Sequence, residues 1–205
     1  MKTTNTNDEL LDEAQSLQVI KEMIEVSRNN LKNDGILFIV WGWTLLYSSL
    51  IGFIKRDVLL LHRTQKILSI AGVILGIFAV VFSIYYIVKH RRKMQTYIGI
   101  SLRYVWFSLV VSLMLVNVIL ANVLHTINFE LQHPVFMVLF AFAITVTGGI
   151  LRYRLIIAGG ILFAVIALAV SWFDLKYQLL LEAFAWLVAF IIPGHILYSK
   201  RKAKK

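Results

Sequence analysis

A chain of 205 residues that is 59% hydrophobic and only 16% charged carries more apolar surface than a soluble domain of that length can bury. Having no cysteine, it has no disulfide, no thiolate metal site and no cysteine nucleophile. Its net charge of +10 lies between apolar stretches, where orientation in a membrane accounts for it and nucleic acid is not an implied partner.

Residues 1–34 form a polar N-terminal segment with seven acids against four Lys/Arg. No basic start, short apolar core and small-residue cleavage site occur there, so the first apolar stretch is expected to be an uncleaved anchor. Within this segment, residues 8–32 read as an amphipathic helix. Leu10, Leu17, Ile24 and Leu31 recur every seven residues, widened by Ala14, Ile20 and Met23. Such a helix can lie on the membrane or on the bundle's own ends. It can also serve self-association or docking of a protein partner, although Glu13 and Ser27 interrupt the core-type positions. The expectation is that it packs by the leucine stripe, with its charges secondary.

Six apolar stretches follow in the region 35–198: Ile36–Ile54, Ile67–Val88, Tyr104–Leu124, Val135–Leu151, Leu155–Phe173 and Gln178–Tyr198. Each approaches the roughly 20 residues that cross about 30 Å of hydrocarbon at 1.5 Å per residue. Backbone groups in lipid must bond within their own segment, so each stretch is expected to be helical. The fourth, with 17 residues, is the shortest. Residues 199–205 form a basic tail. The fold class expected is an all-α polytopic bundle of six transmembrane helices preceded by the amphipathic helix.

Lys and Arg number 16 on the side holding both termini and five on the other. Cytoplasmic loops are the richer in these residues, so both termini are expected in the cytoplasm. Lys55, Arg56, Arg63 and Lys66, after the first stretch, are the discordant group. Lys89, Arg91, Arg92 and Lys93, with Lys200, Arg201, Lys202, Lys204 and Lys205, make a face attractive to anionic headgroups of the lipid bilayer.

Small residues mark where helices should meet. Arg152-Tyr153-Arg154 alone joins the fourth and fifth stretches, which forces an antiparallel hairpin. Gly148, Gly149, Gly159 and Gly160 flank that turn and allow close packing. Gly72 and Gly76, continued by Ala79 and Ser83, offer a second packing face. Trp41 and Trp43 around Gly42 look like a packing node. Tyr85, Tyr86, Tyr97, Tyr104, Trp106, Trp172, Tyr177 and Tyr198 read as an interfacial aromatic belt. Ile70–Leu75 resembles Ile157–Leu162, as an inverted repeat would require.

Polar residues inside the stretches are few. Glu182 is the one carboxylate well within an apolar stretch. It has two readings: a residue shallow enough to reach outward or pair with Lys176, or a proton or cation site. Asn117 and Asn122 could line the same cavity or form interhelical hydrogen bonds. Pro193 removes one backbone hydrogen bond and crowds the Ala189 carbonyl, so Pro193 and Gly194 form a candidate hinge, followed by His195. His125, Glu130 and His133 are zinc-binding residue types, but their spacing matches no metal motif, and Pro134 suits the first turn of the fourth helix. No hydrolase or ATPase motif occurs, so no catalytic residue, metal or cofactor is implied.

The passage Asn29-Asn30-Leu31-Lys32-Asn33-Asp34-Gly35 leading into Trp41-Gly42-Trp43 resembles the start of a group of uncharacterised bacterial multi-span membrane proteins. So do His133-Pro134, Gly148-Gly149 with the Arg152-Tyr153-Arg154 turn, and Leu155–Gly160. The resemblance implies a six-helix topology and a bacterial inner membrane, with no activity attached. The expected function is non-enzymatic sensing, regulation or scaffolding through the N-terminal helix and basic segments. The alternative is a small transporter or channel using Glu182, and a membrane enzyme comes third.

Overall fold

The computed structural model describes residues 15–19, 21–23, 35–57, 62–89, 97–125 and 128–202, and all its regular structure is helical. Among the described residues from 35 on, seven helices follow one another: α1 (Ile36–Asp57), α2 (His62–Lys89), α3 (Tyr97–Leu124), α4 (Phe129–Leu151), α5 (Arg154–Val170), α6 (Leu175–Trp186) and α7 (Ile192–Lys202). A π-helical turn, Leu187–Ile191, joins α6 to α7 into one continuous rod. The described parts of the N-terminal segment are helical, with Gln18 bonded to Glu22 one turn on. Leu17 and Met23 there are 67% and 68% exposed, so at these two positions the stripe does not pack on the bundle. Leu10, Ile24 and Leu31 lie outside the described residues.

Five of the rods are long and apolar enough to cross a membrane: Ile36–Arg56, His62–Lys89, Tyr97–Leu124, Phe129–Leu151 and Leu175–Ser199. The sixth, α5, has 17 residues, which is about 25 Å of helix. The fourth stretch was expected to be the shortest, and the structure reverses this. Asn128 caps α4 by accepting from the Leu131 N–H at 3.2 Å, which starts that helix six residues before Val135. Conversely, 3₁₀-type bonds from Trp172 to Ala169 and from Phe173 to Val170 end α5 early.

The core sits between α4, α5 and the α6–α7 rod, where Met137, Ile144, Ile156, Phe163, Val170, Trp186 and Phe190 are all but fully buried. Helix α1 lies along the rod, α2 packs on α1, and α3 packs on α4. The flanking α2 and α3 present most of their side chains outward, as a lipid-facing helix does. Four hydroxyls in the apolar helices are satisfied locally: Thr44, Ser49, Ser83 and Thr145 each donate to the carbonyl four residues earlier.

Hairpin α4–α5 is closed by Arg152, a left-handed residue at φ 48°, whose N–H reaches Gly149 O while that of Tyr153 reaches Gly148 O. Two glycines hold its helices close. A Cβ on Gly148 would stand 2.7 Å from Ile157 N, and one on Gly160 would stand 2.8 Å from Thr145 N. Gly159 packs on Ala189 of the rod. Gly149, one residue from Gly148, has nothing within 4 Å. Burial of Tyr153 in this turn pushes its phenol above the usual range.

A second glycine seam joins the first helix to the α6–α7 rod. Gly35 lies against Gly194 and Leu197, Gly42 against Phe190 and Ile191, and Gly52 against Leu179. Partner numbers fall as α1 advances, so the pair is antiparallel. Trp41 Nε1 also donates to Ser83 Oγ at 2.9 Å, tying α1 to α2, while Trp43 is half exposed. On α2, Ala79 is buried and Gly72 meets Tyr47, but Gly76 has nothing within 4 Å. Two members of the aromatic belt belong elsewhere: Tyr86 is buried, and Trp106 packs edge-on against Phe190 at 5.9 Å.

Candidate functional site

Polar side chains gather where the start of α4 meets the start of α6 and, on a separate exposed side, the end of α3. Glu182 lies seven residues into α6, about 10 Å along its axis. Its Oε2 is 2.9 Å from His133 Nδ1 on α4, and its Oε1 accepts from Trp186 Nε1 at 3.2 Å. The Glu182 side chain is 14% exposed and that of His133 28%. The expected partner Lys176 is turned elsewhere, its ammonium lying over the rings of Phe53 and Tyr177 at 5.9 and 5.4 Å.

Spacing explains the geometry. Residues 182 and 186 are four apart, hence on one face of α6, and that face meets α4. Trp186 is buried, edge-on to Phe140, Phe163 and Phe190 at 4.8, 4.7 and 5.2 Å between ring centres. Its indole N–H needs an acceptor at such depth, and Glu182 provides it.

A second tie lies beside the first. Pro134 falls in the second turn of α4, not the first turn expected, because Asn128 starts the helix early. Proline has no N–H, so the Glu130 carbonyl four residues back loses its helical donor. Gln178 Nε2 donates to that carbonyl at 3.1 Å and to the Phe173 carbonyl at 2.8 Å. Gln178 is 2% exposed, and sequence reasoning did not single it out. Pro134 is visible in the sequence, but that Gln178 meets the carbonyl it frees is decided by the packing of α6 on α4.

The asparagines do not join Glu182. Asn117 Oδ1 accepts from Gln132 Nε2 at 2.7 Å, tying α3 to α4 on an exposed side, and Asn122 is exposed. Of the possible zinc trio, His133 faces Glu182 while His125 and Glu130 are exposed. Among the described residues, no three His, Asp or Glu side chains are placed to hold a metal.

At the other end of the rod, Pro193 lies two residues past the π turn, where the Ile192 N–H bonds Leu187 O, and His195 Nδ1 lies 2.9 Å from Ile191 O. Gly194 is buried against Ile39 and Gly35. The candidate hinge is thus also a close helix contact.

These features define an all-α membrane-embedded bundle in which, among the described residues, the most buried carboxylate is held by an imidazole and an indole. Compared with known proteins, the chain matches no family model, no curated protein and no solved structure.

Proposed function

We propose that the chain is a non-enzymatic multi-pass protein of the bacterial inner membrane, with both termini in the cytoplasm, that senses, regulates or scaffolds. The observation that carries this reading is the engagement of Glu182. A transporter built on that carboxylate needs an open polar route to it. Here its oxygens meet His133 and Trp186, and the rings of Phe140, Phe163 and Phe190 surround that indole. Such a carboxylate braces two helices.

Residues 15–19 and 21–23 of the N-terminal segment are exposed. Among them, Leu17, Val19 and Met23 suit docking of a protein partner or a second copy. The 16-to-5 distribution of Lys and Arg supports cytoplasmic termini, and the basic clusters on that side suit anionic headgroups.

Proteoliposomes containing a pH-sensitive dye test the reading. No proton or cation flux is expected from the wild type, and a flux that Glu182→Gln abolishes overturns it. Reporter fusions at residues 1, 96 and 205 are expected inside, and those at 60 and 129 outside.

A further inference from the structure

The adjoining ends of α1 and α2 hold a feature that neither the core nor the polar layer uses. A cavity of about 340 Å³ is lined there by Lys55, His62, Gln65, Lys66, Ser69 and Ile70. Lys55 lies in the last turn of α1, His62 opens α2, and Lys66 follows one turn later. Lys55 Nζ donates to Ser69 Oγ, which in turn donates to the Gln65 carbonyl at 2.8 Å. This chain of bonds fixes the Lys55 ammonium at the cavity wall and leaves it two further N–H donors.

Among the described residues no carboxylate lines the cavity, although two ammonium groups share it. Like charges in one recess repel, and an anion relieves them. The surface below is different in kind. Ile70, Ile74 and Ile77 recur along one side of α2, each about 60% exposed. Ile70 belongs to both the cavity and this stripe, so a basic recess runs directly into a lipid-facing apolar track.

We propose that this cavity binds the phosphate of an anionic phospholipid. Lys55, Lys66 and His62 surround the headgroup oxygens, and the acyl chains follow Ile70, Ile74 and Ile77. Free phosphate offers the same oxygens, but it has no use for the isoleucine track. The proposal also gives a role to two of the four basic residues that break the charge bias of the chain.

Native mass spectrometry of the full chain, released from nanodiscs of equal phosphatidylglycerol and phosphatidylcholine, tests it. The wild type is expected to retain phosphatidylglycerol preferentially. Lys55→Gln lowers that preference about fivefold, and adding Lys66→Gln lowers it more than about tenfold, from the worth of one basic group near an anionic surface. Equal preference in wild type and double variant overturns the site. Inorganic phosphate, added to lipid-free protein in detergent, tests the other source. Thermal stabilisation by phosphate, with equal retention of the two phospholipids, overturns the lipid assignment. If the double variant loses its helical circular dichroism, Ile70→Trp fills the cavity mouth and spares both ammonium groups. It too is expected to lower the preference, and an unchanged preference overturns the proposal.

Discussion

Gln178 on α6 donates its side-chain amide to the backbone carbonyl of Glu130 on α4, the oxygen that Pro134 leaves without a helical donor. A residue that breaks one helix locally is thereby made to fasten it to another. Gln178→Leu keeps the volume but strands the Glu130 and Phe173 carbonyls, and is expected to cost about 1–3 kcal/mol. Pro134→Ala restores an N–H to Glu130, so the same substitution should cost about 1 kcal/mol less in that background. Denaturant titration in detergent micelles measures the cycle. Strict additivity would refute the link.

Glu182 is expected to matter through both of its oxygens. Glu182→Gln keeps an acceptor for Trp186 and a polar partner for His133, and should cost less than about 1 kcal/mol. Glu182→Leu strands the buried indole N–H and the imidazole together, and should cost about 2–4 kcal/mol. If thermal unfolding finds the two variants equally mild, the brace is not one.

Neighbouring glycines are expected to behave oppositely. Gly160→Ala places a methyl against the backbone of Thr145, and Gly148→Ala places one against that of Ile157, each costing about 1–3 kcal/mol. Gly149→Ala and Gly76→Ala meet nothing within 4 Å and should be neutral or stabilising by up to about 1 kcal/mol. Similar losses at all four positions would contradict the packing described.

Because the chain has no cysteine, the seam between α1 and the α6–α7 rod can be tested by crosslinking in the natural background. A Cβ at Gly35 stands 2.8 Å from that of Leu197 and closer still to the Gly194 carbonyl, so Gly35→Cys with Leu197→Cys should oxidise to an intramolecular disulfide after a backbone shift of about 1 Å that clears both. Gly35→Cys with Leu179→Cys, at opposite ends of the seam, should not. The reverse pattern on reducing and non-reducing gels would exclude an antiparallel pair.

Much of the architecture was legible in one dimension. Apolar runs, their lengths and the three-residue link at Tyr153 are properties of the chain taken segment by segment. Hydrocarbon solvent leaves a lone segment no option but a helix, so the all-α class and the α4–α5 hairpin follow from the sequence. The tightness of the turn at Arg152 follows too, since so short a connection permits little else.

Only the tertiary structure decided which side chains meet. Successive helix residues point about 100° apart, so Gly148 is buried and Gly149 open although the sequence offers them alike. Glu182 found His133, 49 residues away, in place of nearby Lys176, because helix α4 and not the loop faces that side of α6. Gln178 acquired its role from a proline on another helix. The seam of Gly35, Gly42 and Gly194 joins residues more than 140 apart. Such pairings depend on how rods rotate and cross, and no local period encodes rotation. Sequence alone determined that this chain makes helices suited to a membrane; packing determined which of its polar and small residues hold them together.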